Sequence, residues 1–199
     1  FILLDAHMRF YQTDWVQLIT EELEHNGRQI TCCQTKPLTK IDGIVQEKEP
    51  YSTYGAFVYM GVKQYMPMAV WNPNSKVKAL QDDHILCVLG ATYASSKTYW
   101  NEINGFQGLL GYGCEEAFIS LKAWMEGGMC KLISKVTVGH IYKEKSTYSY
   151  ISPCYIHNYL LIAHLLFPTS LRCKAKAVAY SLNPSGFSHA MELLHANYD

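Results

Sequence analysis

Residues 1–4, Phe-Ile-Leu-Leu, form a bare apolar run of strand length, read as a buried strand of a mostly parallel sheet. A helix is predicted from Thr13 or Asp14. Trp15, Leu18, Ile19 and Leu23 form its apolar stripe, Glu21, Glu22 and Glu24 its solvated face, and Asn26-Gly27 its end. Residues 28–34 read as a strand with Ile30 and Cys32 pointing one way, and the polar stretch 36–49 reads as loop. Residues 51–70 are aromatic and β-rich, broken by Gly55, Gly61 and Pro67, and read as a surface hairpin. Residues 85–94 predict a buried strand with a Gly90-Ala91 step, a small pair that marks close approach of a ligand or backbone. Residues 95–104 predict a short helix. Residues 105–128 are a glycine-rich loop followed by a helix. Ala117, Leu121 and Trp124 fall at i, i+4 and i+7, Phe118 and Met125 widen the stripe, and Gly127-Gly128 ends it. Residues 131–139 alternate as a strand through Leu132, Ser134, Val136 and Val138. Segments 156–167 and 188–197 predict two helices joined by a basic linker around residues 172–176.

A chain of 199 residues holds one domain with a substantial core. We take residues 1–199 as one domain, with 1–150 as its core and 151–199 as a C-terminal helical segment. Seventeen basic residues balance seventeen acidic ones, and no run of Lys or Arg suggests a nucleic-acid partner. Fifteen tyrosines suit stacking on sugars, and equally an ordinary core and its rim. Seven scattered cysteines show neither a CxxC pair nor a Cys/His spacing of a zinc site. They read as reduced thiols, which points to a cytoplasmic protein, with peripheral attachment to a membrane left open. The most apolar segment, 159–167, falls far short of the roughly 20 residues a spanning helix needs. The lack of a phosphate loop or a G-x-G-x-x-G in context argues against a dehydrogenase or nucleotidyl hydrolase.

Two places carry candidate chemistry. Asp5 and His7 follow the first apolar run, where ligands of open α/β sheets bind. Two ligands one residue apart at a strand end can face a single metal ion, although a strand-end Asp alone is more often a turn residue. Glu115 and Glu116 sit where loop becomes helix. Acids there suit the helix dipole, and they also suit a carboxylate at the mouth of a glycine-lined pocket, placed to take a proton or bind a sugar hydroxyl.

The run GFQGLLGYGCEEAFISLKAWMEGG resembles the signature of GT-A-fold glycosyltransferases of the family-2 type and of the polypeptide N-acetylgalactosaminyltransferases. The match is close at Glu115, Ser120, Lys122, Trp124, Gly127 and Gly128, and departs at Gln107, Tyr112, Cys114 and Glu116. FILLDAHMRF is similar to the D-x-H motif of that group, residues 85–94 to its small-residue strand, and Gly139-His140-Ile141-Tyr142-Lys143 to its element bearing a further metal-binding His. The resemblance implies an α/β GT-A fold, a mixed sheet flanked by helices, whose N-terminal nucleotide-binding part should precede Asp5 and is missing here. It implies a divalent metal, Mn(II) or Mg(II), held by Asp5, His7 and His140, with Lys143 near the donor diphosphate. Gly90 and Ala91 leave room for the donor sugar, and Tyr112 and Gly113 line the donor or acceptor side. Glu116 takes the general-base position and Glu115 the substrate-binding one. A carboxylate rather than Asn at position 116 implies inversion. Residues 146–152 would cover the donor, and Asn158 matches an Asn in the helix that follows the metal His in bacterial members. The implied activity moves a sugar from a nucleotide-diphosphate donor, a UDP-sugar, to a glycan or other hydroxyl acceptor in polysaccharide or glycan synthesis. The alternative, from another class, is a glycosyltransferase-like sugar- or nucleotide-binding domain without turnover. Oligomeric state is not legible.

Overall fold

The computed structural model describes residues 1–48, 53, 55–60, 67–71, 81–142, 149 and 152–198. Two long strands form its spine: β3 (Gln29–Ile41) and β8 (Met129–Ile141) run parallel from Gln29 beside Met129 to Leu38 beside Ile141. A register shift after Cys33 leaves extra residues on β8. Antiparallel partners flank this pair. β7 (Thr92–Ser95) joins β3, β1 (Ile2–Leu4) joins β7, β2 (Met8–Phe10) joins β8, and β4 (Ile44–Glu47) folds back on β3. A separate two-stranded sheet pairs β5 (Ala56–Met60) with β6 (Pro67–Trp71).

Alternation along the spine divides the core. Ile19 of α1 (Trp15–His25) meets Cys33, Ala94, Ile133, Val136 and Val138 on one face. Ile30, Cys32, Cys130 and Leu132 on the other face meet Ile119 and Ala123 of α3 (Glu115–Met125), with the buried run 87–89 among them. Burying a side chain such as Ile119 contributes about 1.5–3 kcal/mol. The short α2 (Lys97–Glu102) starts on a Ser96 cap, whose Oγ accepts from the Tyr99 N–H at 3.1 Å.

The C-terminal layer comprises α4 (Pro153–Leu166), α5 (Thr169–Leu182) and α6 (Pro184–Tyr198). Residues 155–163 of α4 are buried all round, so α4 is the central helix of this layer. It packs on Phe118 of α3 and on Ala175, Ala179, Ala190 and Leu194 of the other two helices.

Several sequence expectations are corrected here. β1 is an antiparallel edge strand with Leu3 and Leu4 exposed, because only β7 borders it; the one parallel pair among the described strands is β3–β8. Residues 36–49 are not simply loop: β3 continues to Ile41, Asp42-Gly43 turns at φ +50° and +85°, and β4 returns. An Asp-Gly pair between apolar residues favours such a two-residue hairpin over the loop that polarity suggests. Residues 85–91 are irregular, with Ile85, Cys87, Val88, Leu89 and Ala91 buried and Leu86 exposed, and β7 begins at Thr92. The basic stretch 172–176 lies inside α5, where Ala, Leu, Lys and Arg favour helix and two buried alanines allow close approach. In α3 the buried set is Ala117, Phe118, Ile119, Ser120 and Ala123, whereas Trp124 and Met125 are exposed. Lys143 and most of residues 146–152 lie outside the described residues, as does much of 51–70.

Candidate active site

Sheet pairing brings distant residues to one place. Asp5 follows β1, and its N–H donates to the Ala91 carbonyl at 3.2 Å. Met8 of β2 lies opposite His140 of β8, and the His7 carbonyl accepts from the Ile141 N–H at 3.4 Å. Asp5 and His140, 135 positions apart, therefore meet with Oδ2 2.8 Å from Nε2. The His7 and His140 rings lie 4.7 Å apart, tilted by 34°. One ligand atom from each of Asp5, His7 and His140 falls within 4.8 Å of the others. His140 is buried against the Tyr142 ring, Asp5 is exposed, and His7 is half-buried. Burial lowers the His140 pKa and the Asp5 carboxylate opposes it, which favours the neutral imidazole that metals bind. Two imidazoles and a carboxylate, open to solvent on the Asp5 side, form a donor set that fits a divalent cation. The structure thus brings together Asp5, His7 and His140, the three residues that the resemblance assigns to a metal.

The acidic pair approaches from α3. Cys114, at φ +71°, turns the chain into the helix. Glu115 Oε1 accepts from the Gly113 N–H at 2.9 Å. Glu116 extends beneath the Gly90-Ala91 turn, where its carboxylate occupies the space a β-carbon at residue 90 would need. Burial pushes Glu116 up to about 7, and the Glu115 charge adds to the shift. The same turn bonds Asp5 through Ala91, so residues 90–91 join the triad to the acidic pair. The absent side chain at Gly90 thus leaves room for Glu116. Tyr112 stands exposed on the glycine loop, and Gly113 is buried at φ +119° with the Tyr155 ring against it, so no side chain fits there.

The rest of the signature run is structural. Ser120 Oγ accepts from the buried Val88 N–H at 3.1 Å. Lys122 Nζ donates to the Gly105 carbonyl at 2.9 Å, and burial lowers its pKa to about 8. Trp124 Nε1 donates to the Leu86 carbonyl at 3.1 Å, and Gly128 makes room for the Tyr99 hydroxyl. Each of these side chains ties α3 to a neighbouring segment.

Two residues outside the expected catalytic, binding and metal set hold the loop, one of them the Asn158 that the resemblance matched without giving it a role. Asn158 of α4 bonds Leu110 and Gly113, and His157 Nε2 lies 3.0 Å from the Gly108 carbonyl. Their signal in the sequence is an adjacent polar pair in the run YIHNYLLIAHLL, which is apolar elsewhere except at His164. A groove of about 670 Å³ lies elsewhere, between Leu18, Glu22, Asp82, Asp83 and Lys131, and none of the expected site residues lines it. Among the described residues no helix is long and apolar enough to cross a membrane. All seven cysteines are free, five of them buried.

No protein-family model matches the chain. Polypeptide N-acetylgalactosaminyltransferase 5 of Mus musculus is 26% identical over 153 residues, which cover 74% of this chain and 16% of that protein. Its Rattus norvegicus counterpart is 24% identical over the same shares. The inactive polypeptide N-acetylgalactosaminyltransferase-like protein 5 of Macaca fascicularis is 36% identical over 78 residues, 38% of this chain and 18% of that protein. The chain thus spans less than a fifth of the length of these curated relatives. The crystal structure of GalNAc-T7 with UDP, GalNAc and Mn2+ aligns over 98% of this chain and 38% of that chain, with TM-score 0.65 and 17% identity. The fold is therefore α/β of the GT-A type, and the chain resembles GT-A glycosyltransferase catalytic domains of this group.

Proposed function

We propose that this chain carries the metal- and acceptor-side part of a glycosyltransferase that uses a nucleotide-diphosphate sugar. One observation carries the reading: the fold gathers Asp5, His7 and His140 into one donor set beside the turn that contacts Glu116. Asp5, His7 and His140 would hold a divalent cation, Mn(II) or Mg(II). When bound, such an ion neutralises a diphosphate and stabilises it as a leaving group. The relatives' names and the UDP-bound neighbour make a UDP-N-acetylhexosamine the first donor to try.

The chain's own residues supply the rest. Glu116 accepts the proton of the acceptor hydroxyl as that oxygen attacks the anomeric carbon and the bond to the diphosphate breaks. Its pKa near 7 suits a base working at neutral pH. Glu115, fixed by the Gly113 N–H, orients the acceptor, and Tyr112 offers a face for a sugar ring. Attack from the face opposite the leaving group gives inversion. Gly90 and Ala91 shape the donor side, and Lys143 is assigned to the diphosphate. The acceptor is a glycan or another hydroxyl compound, in glycan or polysaccharide synthesis. Seven free thiols suit a reducing, cytoplasmic compartment.

Calorimetric titration with UDP, with and without Mn(II), tests the reading. Metal-dependent binding that disappears in His140→Ala supports it; equal binding by both proteins overturns the metal assignment. A second reading, a binding domain without turnover, draws on the macaque relative's being named inactive. Metal-dependent UDP binding without release of UDP from any donor sugar would select it.

A further inference from the structure

Asn158 is fully buried in the middle of α4, among apolar residues. Its amide is saturated by one target, the glycine-rich loop. Oδ1 accepts from the Leu110 N–H at 2.7 Å, and Nδ2 donates to the carbonyls of Leu110 at 3.0 Å and Gly113 at 2.8 Å. His157, one position earlier, reaches the Gly108 carbonyl. The loop needs such holding, because residues 109–114 lie in no helix or strand and Gly108, Gly111 and Gly113 have φ of +93°, +57° and +119°. The Gly113 peptide is gripped from both sides: Asn158 holds its carbonyl region, and its N–H holds Glu115.

We propose that Asn158 is a positioning residue for transfer. It fixes Gly113, Gly113 fixes Glu115, and the acidic pair thereby keeps its alignment against the Gly90-Ala91 turn. This makes α4 part of the reaction apparatus and not packing support alone. A Leu at this position would suit the apolar helix better, so a buried amide is retained at a cost that its three loop bonds offset. The proposal rests on the transferase reading above.

The test compares wild type with Asn158→Leu and, should that variant fail to fold, Asn158→Asp, which keeps an acceptor for the Leu110 N–H. Amide hydrogen exchange is followed along the chain, UDP affinity is measured with Mn(II), and UDP release is assayed from UDP-N-acetylhexosamines. The expected result is exchange at least tenfold faster at residues 108–116, unchanged protection in β3 and β8, UDP affinity within twofold, and kcat reduced at least tenfold. Uniformly faster exchange, or a fast loop with unchanged kcat, would make Asn158 an ordinary core residue and overturn the proposal. Unchanged loop exchange would overturn it too. Failure of wild type to bind UDP with Mn(II) would instead remove the transferase reading; the positioning role for transfer falls with it, while the exchange data still report whether Asn158 holds the loop.

Discussion

The Glu116 carboxylate occupies the space into which a side chain at residue 90 would project. Gly90 is therefore a partner of the acidic pair, and its missing side chain lets Glu116 reach under the turn that also bonds Asp5. Gly90→Ala must move either the carboxylate or the turn. It is expected to leave the protein folded and to lower kcat about tenfold, roughly 1.4 kcal/mol of barrier. A folded Gly90→Ala protein with wild-type kcat would show that Glu116 does not need this placement.

Burial pushes the Glu116 carboxyl up to about 7 from its ordinary 4.5. The folded state thus holds this proton more tightly than the unfolded state. The resulting penalty is absent below about pH 4.5, grows between 4.5 and 7, and is complete above 7. Glu116→Gln should accordingly raise stability at pH 8, by roughly 1–2 kcal/mol for a half-buried group, and leave it unchanged at pH 4. Denaturant melts at the two pH values measure this.

The same group sets a pH profile. Wild-type turnover should rise as pH passes upward through about 7, and Glu116→Gln should lose it by about 10²-fold or more. If Glu115→Gln is the inactive protein and Glu116→Gln turns over normally, the base is Glu115.

A donor set of two imidazoles and a carboxylate should link stability to metal. Mn(II) at about 100 times its Kd stabilises a folded protein by about 2.7 kcal/mol. A rise in Tm corresponding to a stabilisation of that size is expected for wild type, reversed by chelator and missing in Asp5→Asn and His140→Ala. An equal rise in all three would place the ion elsewhere.

The candidate site was legible where chemistry and spacing coincide. Asp5 and His7 stand one residue apart after an apolar run, and the helix signals, acids at Glu115 and Glu116 and the Gly127-Gly128 stop, match α3 to within two residues. What was not legible depends on long-range pairing. Periodicity finds α3 but chooses Trp124 and Met125 as inward residues, because it cannot register that Val88 presents an N–H to Ser120. The same blindness hides the role of Asn158, whose partners lie 48 and 45 positions away. Composition misleads at residues 36–47, where polar side chains cover an ordered hairpin, and at 172–176, where lysines alternate with the alanines of a helix.

Ser120 provides the final test, since it separates what holds the site from what works in it. Its Oγ accepts from the Val88 N–H and lies 3.4 Å from the Cys87 sulfur, with no exposure to solvent. Ser120→Ala removes the acceptor and leaves the buried Val88 N–H unpaired, which costs about 1–3 kcal/mol. The same substitution touches neither the metal triad nor either acid. Thermal or denaturant unfolding should therefore show a loss of that size, while metal-dependent UDP affinity stays within about twofold of wild type. Loss of UDP binding in a protein that is still folded would mean that the 86–90 segment transmits Ser120 to the donor side, and the division of the signature run into a working start and a structural remainder would then be wrong.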